Sequence, residues 1–181
     1  MTLPNLITLG RLVLVPVILV LIGQGAWGAA LAVFVVAGAS DALDGFLAKR
    51  FGMESALGAL LDPLADKALL VSVFVSLATV GALPVWLVAV VIARDLLIVA
   101  AVGLAWASGR RFAIKPLLVG KLNTAAQIGL ATLVLVAHAG GWSLDGLVAL
   151  VCWLVAGTSL LSLAAYARIW RDSAAAPHPR P

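Results

Sequence analysis

Read on its own, the chain is expected to be an all-α polytopic membrane protein with six transmembrane helices and both termini cytoplasmic. Three observations carry that expectation. Hydrophobic residues fill 64% of the 181 positions and charged residues only 11%, against about 45–50% and about 25% in a soluble domain. The apolar residues fall into runs of about 20, the length a helix needs to cross a bilayer, without barrel-type alternation. The basic residues gather in alternate connections, as six spans with one basic side require.

The first span is expected from about Asn5 to Ile22, opened by Pro4 and interrupted by Pro16, which a membrane helix tolerates as a kink. Arg11 lies inside this run rather than before it, so the segment reads as a span and not as a cleavable leader. The second span runs from about Trp27 to Lys49 and the third from near Ser55 to near Val80. Leu83-Pro84 opens a fourth that continues to about Ser108. Pro116 begins the fifth, to about Ala137, and Ser143 the sixth, to about Tyr166. Residues 1–172 are expected to form one membrane domain, with the Ala/Pro-rich stretch 173–181 as a disordered tail.

The connections near Gln24, Gly81 and Gly140 hold no Lys or Arg. Lys49-Arg50, Arg110-Arg111-Lys115 and the Arg168–Arg171 end hold most of the basic residues, which places that side in the cytoplasm. Trp27, Trp86 and Trp142 would open helices at the outer face, and Trp106 and Trp170 would close helices at the inner one; Trp153 alone falls mid-span. The net charge of +4 does not indicate a nucleic-acid partner. Cys152 is the single cysteine, so no disulfide forms within the chain.

One stretch departs from the oil around it. Asp41 and Asp44 are three apart, and Asp62 and Asp66 four apart, so each pair shares a helix face. The polar break Lys49-Arg50-Phe51-Gly52-Met53-Glu54-Ser55 between them suits a tight connection between antiparallel helices. Intramembrane Asp costs roughly 2.5–3.5 kcal/mol, so the four carboxylates must face a polar space. All-oxygen ligands suit a hard cation such as Mg²⁺ or Mn²⁺; neutralisation by Lys49, Arg50 and Lys67 is the structural alternative. Gly45, Ala48 and Gly58 stand beside the carboxylates, where small side chains admit either a bulky ligand or a neighbouring helix.

The pattern Asp41-x2-Asp44-Gly45-x2-Ala48-Lys49-x8-Gly58-x3-Asp62-x3-Asp66 resembles the signature of the CDP-alcohol phosphatidyltransferases, matching seven of its eight fixed positions. The family has Arg where this chain has Lys49, which keeps the charge. The resemblance implies metal-dependent transfer of a phosphatidyl group from CDP-diacylglycerol to an alcohol, with release of CMP, in a bacterial-type inner membrane. It implies that Asp41, Asp44, Asp62 and Asp66 bind two divalent ions, Mg²⁺ or Mn²⁺, with Asp66 also the base. Gly45, Ala48, Lys49 and Gly58 would line the nucleotide and diphosphate site, with Asn5 and Arg11 nearby. Relatives resemble homodimers.

Arg94 and Asp95 form an ionisable pair inside the fourth span, which is expensive there and points to a function. With Arg110, Arg111 and Lys121, Arg94 would wall a site for an acceptor carrying phosphate. The opening Pro4-Asn5-Leu6-Ile7-Thr8-Leu9-Gly10-Arg11 and the segment Gly120-Lys121-Leu122-Asn123-Thr124-Ala125-Ala126-Gln127 are similar to the phosphatidylglycerophosphate and cardiolipin synthase branches. The acceptor expected is glycerol 3-phosphate, with phosphatidylglycerol as the alternative. A reading of another class, a divalent-cation transporter, lacks a polar path to the uncharged connections.

Overall fold

A computed structural model describes residues 3–51, 56–107 and 118–175. Among these residues there are six helices: α1 Leu3–Gly23, α2 Trp27–Phe51, α3 Ala56–Thr79, α4 Val85–Ala107, α5 Leu118–Gly140 and α6 Asp145–Ala175. No strand occurs among the described residues. Each apolar run of the sequence is one helix, and α6 continues to Ala175, past the end expected near Tyr166.

The three connections without Lys or Arg are tight turns, each made by a glycine with positive φ: Gly25 at 70°, Gly81 at 78° and Gly141 at 65°. In each, the residue after the glycine donates its N–H far back into the preceding helix. Ala26 bonds the Leu21 carbonyl at 2.9 Å, Ala82 that of Leu77 at 2.8 Å, and Trp142 that of Ala137 at 2.9 Å. The glycine N–H groups close the inner bonds, to Ile22, Ala78 and His138. This is the Schellman arrangement, which satisfies carbonyls that a helix end leaves open. An L-residue at the glycine position would pay roughly 1–2 kcal/mol. Gly81→Ala should therefore lower the thermal midpoint in detergent by several degrees, whereas Gly157→Ala, inside α6 with open space around it, should not. Equal midpoints for the two variants would show that the turn does not depend on its glycine.

The turns fold the chain into three helical hairpins, α1/α2, α3/α4 and α5/α6. α3 then packs on α1, α5 on α2 and α6 on α4, while α3 also meets α5. The core between them is apolar, built from side chains such as Ile18, Phe34, Phe74, Leu77, Leu130 and Val155. The outer surface is apolar too: Val13, Leu96, Val99, Leu150, Trp153 and Leu161 are exposed. Among the described residues the buried polar groups are Arg11, Ser76, Arg94, Asp95, Asn123, Gln127, Ser159 and Ser162. Apolar outside with charges inside suits a lipid surround rather than water. Among the described residues two helical stretches, Leu118–Gly140 and Asp145–Ile169, are long and apolar enough to cross a membrane, and Leu9–Gly23 and Trp27–Asp41 are shorter apolar ones.

Aromatic pairs mark the glycine-turn end. Trp27 lies against His138, ring centroids 4.3 Å apart, and His138 Nδ1 is 2.9 Å from the Val134 carbonyl. Trp86 lies against Trp153 at 4.9 Å. Trp153, more than two turns into α6, thus lies at the level of the first turn of α4, on which α6 packs.

Candidate active site

α1, α2 and α3 converge on one cation. Arg11, on α1, is 1% exposed, and its Nη1 stands 2.7 Å from Asp41 Oδ1 on α2. The same nitrogen donates to Asp66 Oδ1 on α3. Two oxygens on one nitrogen lie within about 6 Å of each other, so Asp41 of α2 and Asp66 of α3 are brought together through α1. Among the described residues the cation between these two carboxylates is Arg11; Lys67 pairs instead with Asp95, and the side chains of Lys49 and Arg50 lie outside the described residues. Arg11, assigned to the nucleotide side by resemblance, lies against the carboxylates themselves.

Asp44, Gly45, Ala48 and Lys49 fall on α2, Gly58 and Asp62 on α3, and Asn5 on α1; their side chains lie outside the described residues, as do Arg110 and Arg111 entirely. Among the described residues no three His, Cys, Asp or Glu side chains come together. The described part of the acidic set does fit a divalent ion. Asp41 and Asp66 come from different helices, converge on one positive centre and offer only hard oxygens.

Both carboxylates border a cavity of about 360 Å³, whose other walls include Phe34, Gly38, Leu69, Leu70 and Thr132. From Asp41 to Phe34 along α2 is about 10 Å at the helical rise. The polar end of the cavity is therefore continuous with an apolar slot between α2, α3 and α5.

A second charged centre lies across α3. Lys67 Nζ is 2.5 Å from Asp95 Oδ2, and Arg94 Nη1 is 2.7 Å from Asp95 Oδ1. Arg94 Nη2 donates to Ser162 Oγ on α6 at 2.5 Å. Each oxygen of Asp95 thus meets a cation, and Arg94 ties α4 to α6. Asp95→Asn, which keeps an acceptor but removes the charge, should destabilise the protein by about 2 kcal/mol. A thermal midpoint in detergent equal to that of the wild type would show that the charge holds nothing together.

Lys67, Arg94, Gly120, Lys121 and Tyr166 border a cavity of about 550 Å³. Its three cations outnumber the one carboxylate paired with them. At Gly120 the α5 backbone runs close to the two polar heads: a β-carbon there would lie 3.5 Å from Arg94 Nη2 and 3.7 Å from Tyr166 Oη. The neighbouring residues of α5 divide their tasks. Asn123, fully buried, accepts from Thr158 Oγ1 and Ser159 Oγ of α6, both at 2.9 Å. Lys121 and Thr124 turn to the cavity.

Two features escaped the sequence reading: the junction of Arg11 with Asp41 and Asp66, and the anchoring of α5 on α6 by Asn123. The signal for the first was available, since an Arg inside an apolar run has to find a carboxylate.

The family model of the CDP-alcohol phosphatidyltransferases matches residues 1–165; the chain belongs to that family. It is 34% identical, over 95% of its length, to a chloroplastic CDP-diacylglycerol–glycerol-3-phosphate 3-phosphatidyltransferase of Oryza sativa, of which it covers 58%. It is 37% identical to the CMP-forming cardiolipin synthase of Rattus norvegicus over 70% of this chain and 47% of that protein. To the corresponding protein of Streptomyces coelicolor it is 37% identical over 87% of this chain and 75% of that one. The chain thus spans about half the length of the rice and rat relatives.

Proposed function

We propose that the protein makes phospholipid by transferring the phosphatidyl group of CDP-diacylglycerol to glycerol 3-phosphate, releasing CMP. The observation that carries this reading is the placement of two unlike cavities against each other. One holds Asp41 and Asp66 above an apolar slot; the other holds Lys67, Arg94 and Lys121. A lipid-linked diphosphate suits the first, and a small phosphate-bearing alcohol suits the second.

Asp41 and Asp66, with Asp44 and Asp62, would hold Mg²⁺ or Mn²⁺ as two ions. Bound there, such ions would neutralise the diphosphate of the donor and the charge gathering on departing CMP. Gly45, Ala48, Lys49 and Gly58, with Asn5, would border the nucleotide. Arg94 and Lys121, with Arg110 and Arg111, would hold the phosphate of the acceptor and so aim its hydroxyl. Asp66 accepts the hydroxyl proton as the oxygen attacks the phosphatidyl phosphorus. The new phosphodiester bond forms as the P–O bond to CMP breaks.

The six helices would all cross the bilayer. The three uncharged glycine turns would face outward, and the basic connections and both termini the cytoplasm of a bacterial-type inner membrane. Two copies would pair through the Gly/Ala-rich faces of α3 and α4.

A second reading, with phosphatidylglycerol as acceptor, is favoured by the likeness to the Streptomyces coelicolor cardiolipin synthase, which covers most of both chains. Product analysis separates the two. Purified protein given CDP-diacylglycerol, Mn²⁺ and both acceptors should form phosphatidylglycerophosphate. Formation of cardiolipin alone would overturn the choice of acceptor and leave the transfer chemistry standing.

A further inference from the structure

The two cavities share a wall. On α3 the neighbours Asp66 and Lys67 face different cavities, Asp66 the acidic one and Lys67 the basic one. Across from them on α5, Thr124 and Ile128 border both. Ile128 is 44% exposed and lies a turn beyond Thr124 toward the apolar end. At the level of the charged side chains, the shared wall on α5 is therefore Thr124. Its hydroxyl is already used, donating to the Gly120 carbonyl at 3.2 Å within its own helix. What Thr124 presents to both cavities is bulk.

The geometry points to Thr124 as a residue that determines acceptor specificity: its size sets which alcohol can reach from the basic cavity to Asp66. This rests on the reading that the basic cavity takes the acceptor. An acceptor held by its phosphate at Lys67, Arg94 and Lys121 must extend its hydroxyl past Thr124 to meet the donor beside Asp66. A compact alcohol is the less hindered by that bulk. One carrying a glycerolipid body behind its phosphate has less freedom to shift, so added bulk at position 124 acts on it more strongly. A donor seated at Asp41 and Asp66 does not cross this wall and should be indifferent to it.

The test is CMP release by purified Thr124→Ala, Thr124→Val and Thr124→Leu, with CDP-diacylglycerol, Mn²⁺ and either glycerol 3-phosphate or phosphatidylglycerol. The acceptor KM should rise with side-chain volume from Ala through Val to Leu, whether or not a hydroxyl is present. The rise at Leu should be about tenfold, the usual effect of one or two methyl groups in a confined site, and steeper for phosphatidylglycerol than for glycerol 3-phosphate. The KM for CDP-diacylglycerol should stay within about twofold throughout. That split also shows that the variants are folded, because a folding defect lowers active enzyme without moving one KM alone. Should the Leu variant not fold, the Ala and Val pair still decides the order. An acceptor KM that follows the hydroxyl instead of the volume overturns the inference, as does a donor KM that moves in step. Absence of CMP release by the wild type with either acceptor would overturn the function reading and this inference together. A wild type active on an acceptor but insensitive to position 124 would overturn the inference alone.

Discussion

Asp66→Asn should lower CMP release by about 10²–10⁴-fold, the usual share of a positioned general base, while CDP-diacylglycerol remains bound. Asn has the same shape and keeps an oxygen that can accept from Arg11 Nη1, so α1 and α3 stay joined. What it lacks is a site for the proton of the acceptor hydroxyl. In the proposed function donor binding would also draw on Asp41 and on the apolar slot below the two carboxylates, which the substitution leaves in place. Binding of CDP-diacylglycerol to the variant, measured beside its turnover, checks both halves. Turnover within a few-fold of the wild type would remove Asp66 as the base.

Arg11→Met should make the fold depend on divalent cations. Arg11 is buried and sits between two carboxylates that would otherwise repel each other. Removing one partner of a fully buried ion pair costs about 3–5 kcal/mol. Asp41 and Asp66 are 41% and 42% exposed, so solvent relieves part of the repulsion and about 2–3 kcal/mol is the expected loss. Met fills a similar volume along α1, which separates loss of charge from loss of packing. In EDTA the thermal midpoint of the variant should fall well below that of the wild type. Mn²⁺ should raise it more than it raises the wild type, because an added cation replaces the lost charge at the same carboxylates. Equal Mn²⁺ shifts in both proteins would show that Arg11 and the ions do not act on the same cluster.

The helices were legible because each rests on a local property of the chain. A run of about 20 apolar residues specifies a helix wherever it lies, and a connection without Lys or Arg specifies little beyond a turn. The glycines that make those turns were in view, yet their capping role depends on φ values and carbonyl partners that only the folded chain displays. The acidic pairs were legible for the same local reason, and Arg94 with Asp95 because ionisable neighbours in oil must serve some purpose.

What stayed hidden depends on which helices meet. Arg11 reaches Asp66 through the packing of α1 on α3, and no spacing within either helix encodes that contact. Lys67 looked like a partner for the acidic cluster because Asp66 precedes it. One residue of helical rotation turns it about 100° away, toward Asp95 on α4. Asn123 is polar in a mostly apolar run, and only the α5–α6 contact shows that it serves as an anchor. The division of Thr124 between two cavities is likewise a property of the assembled bundle.

The most direct measurement is CMP release from CDP-diacylglycerol by the purified protein, with and without Mg²⁺ or Mn²⁺ and with and without an acceptor. The account predicts release that requires both the metal and the acceptor, is greatest with glycerol 3-phosphate, and is lost in Asp66→Asn. No metal-dependent release with glycerol 3-phosphate, phosphatidylglycerol or any other alcohol would contradict it.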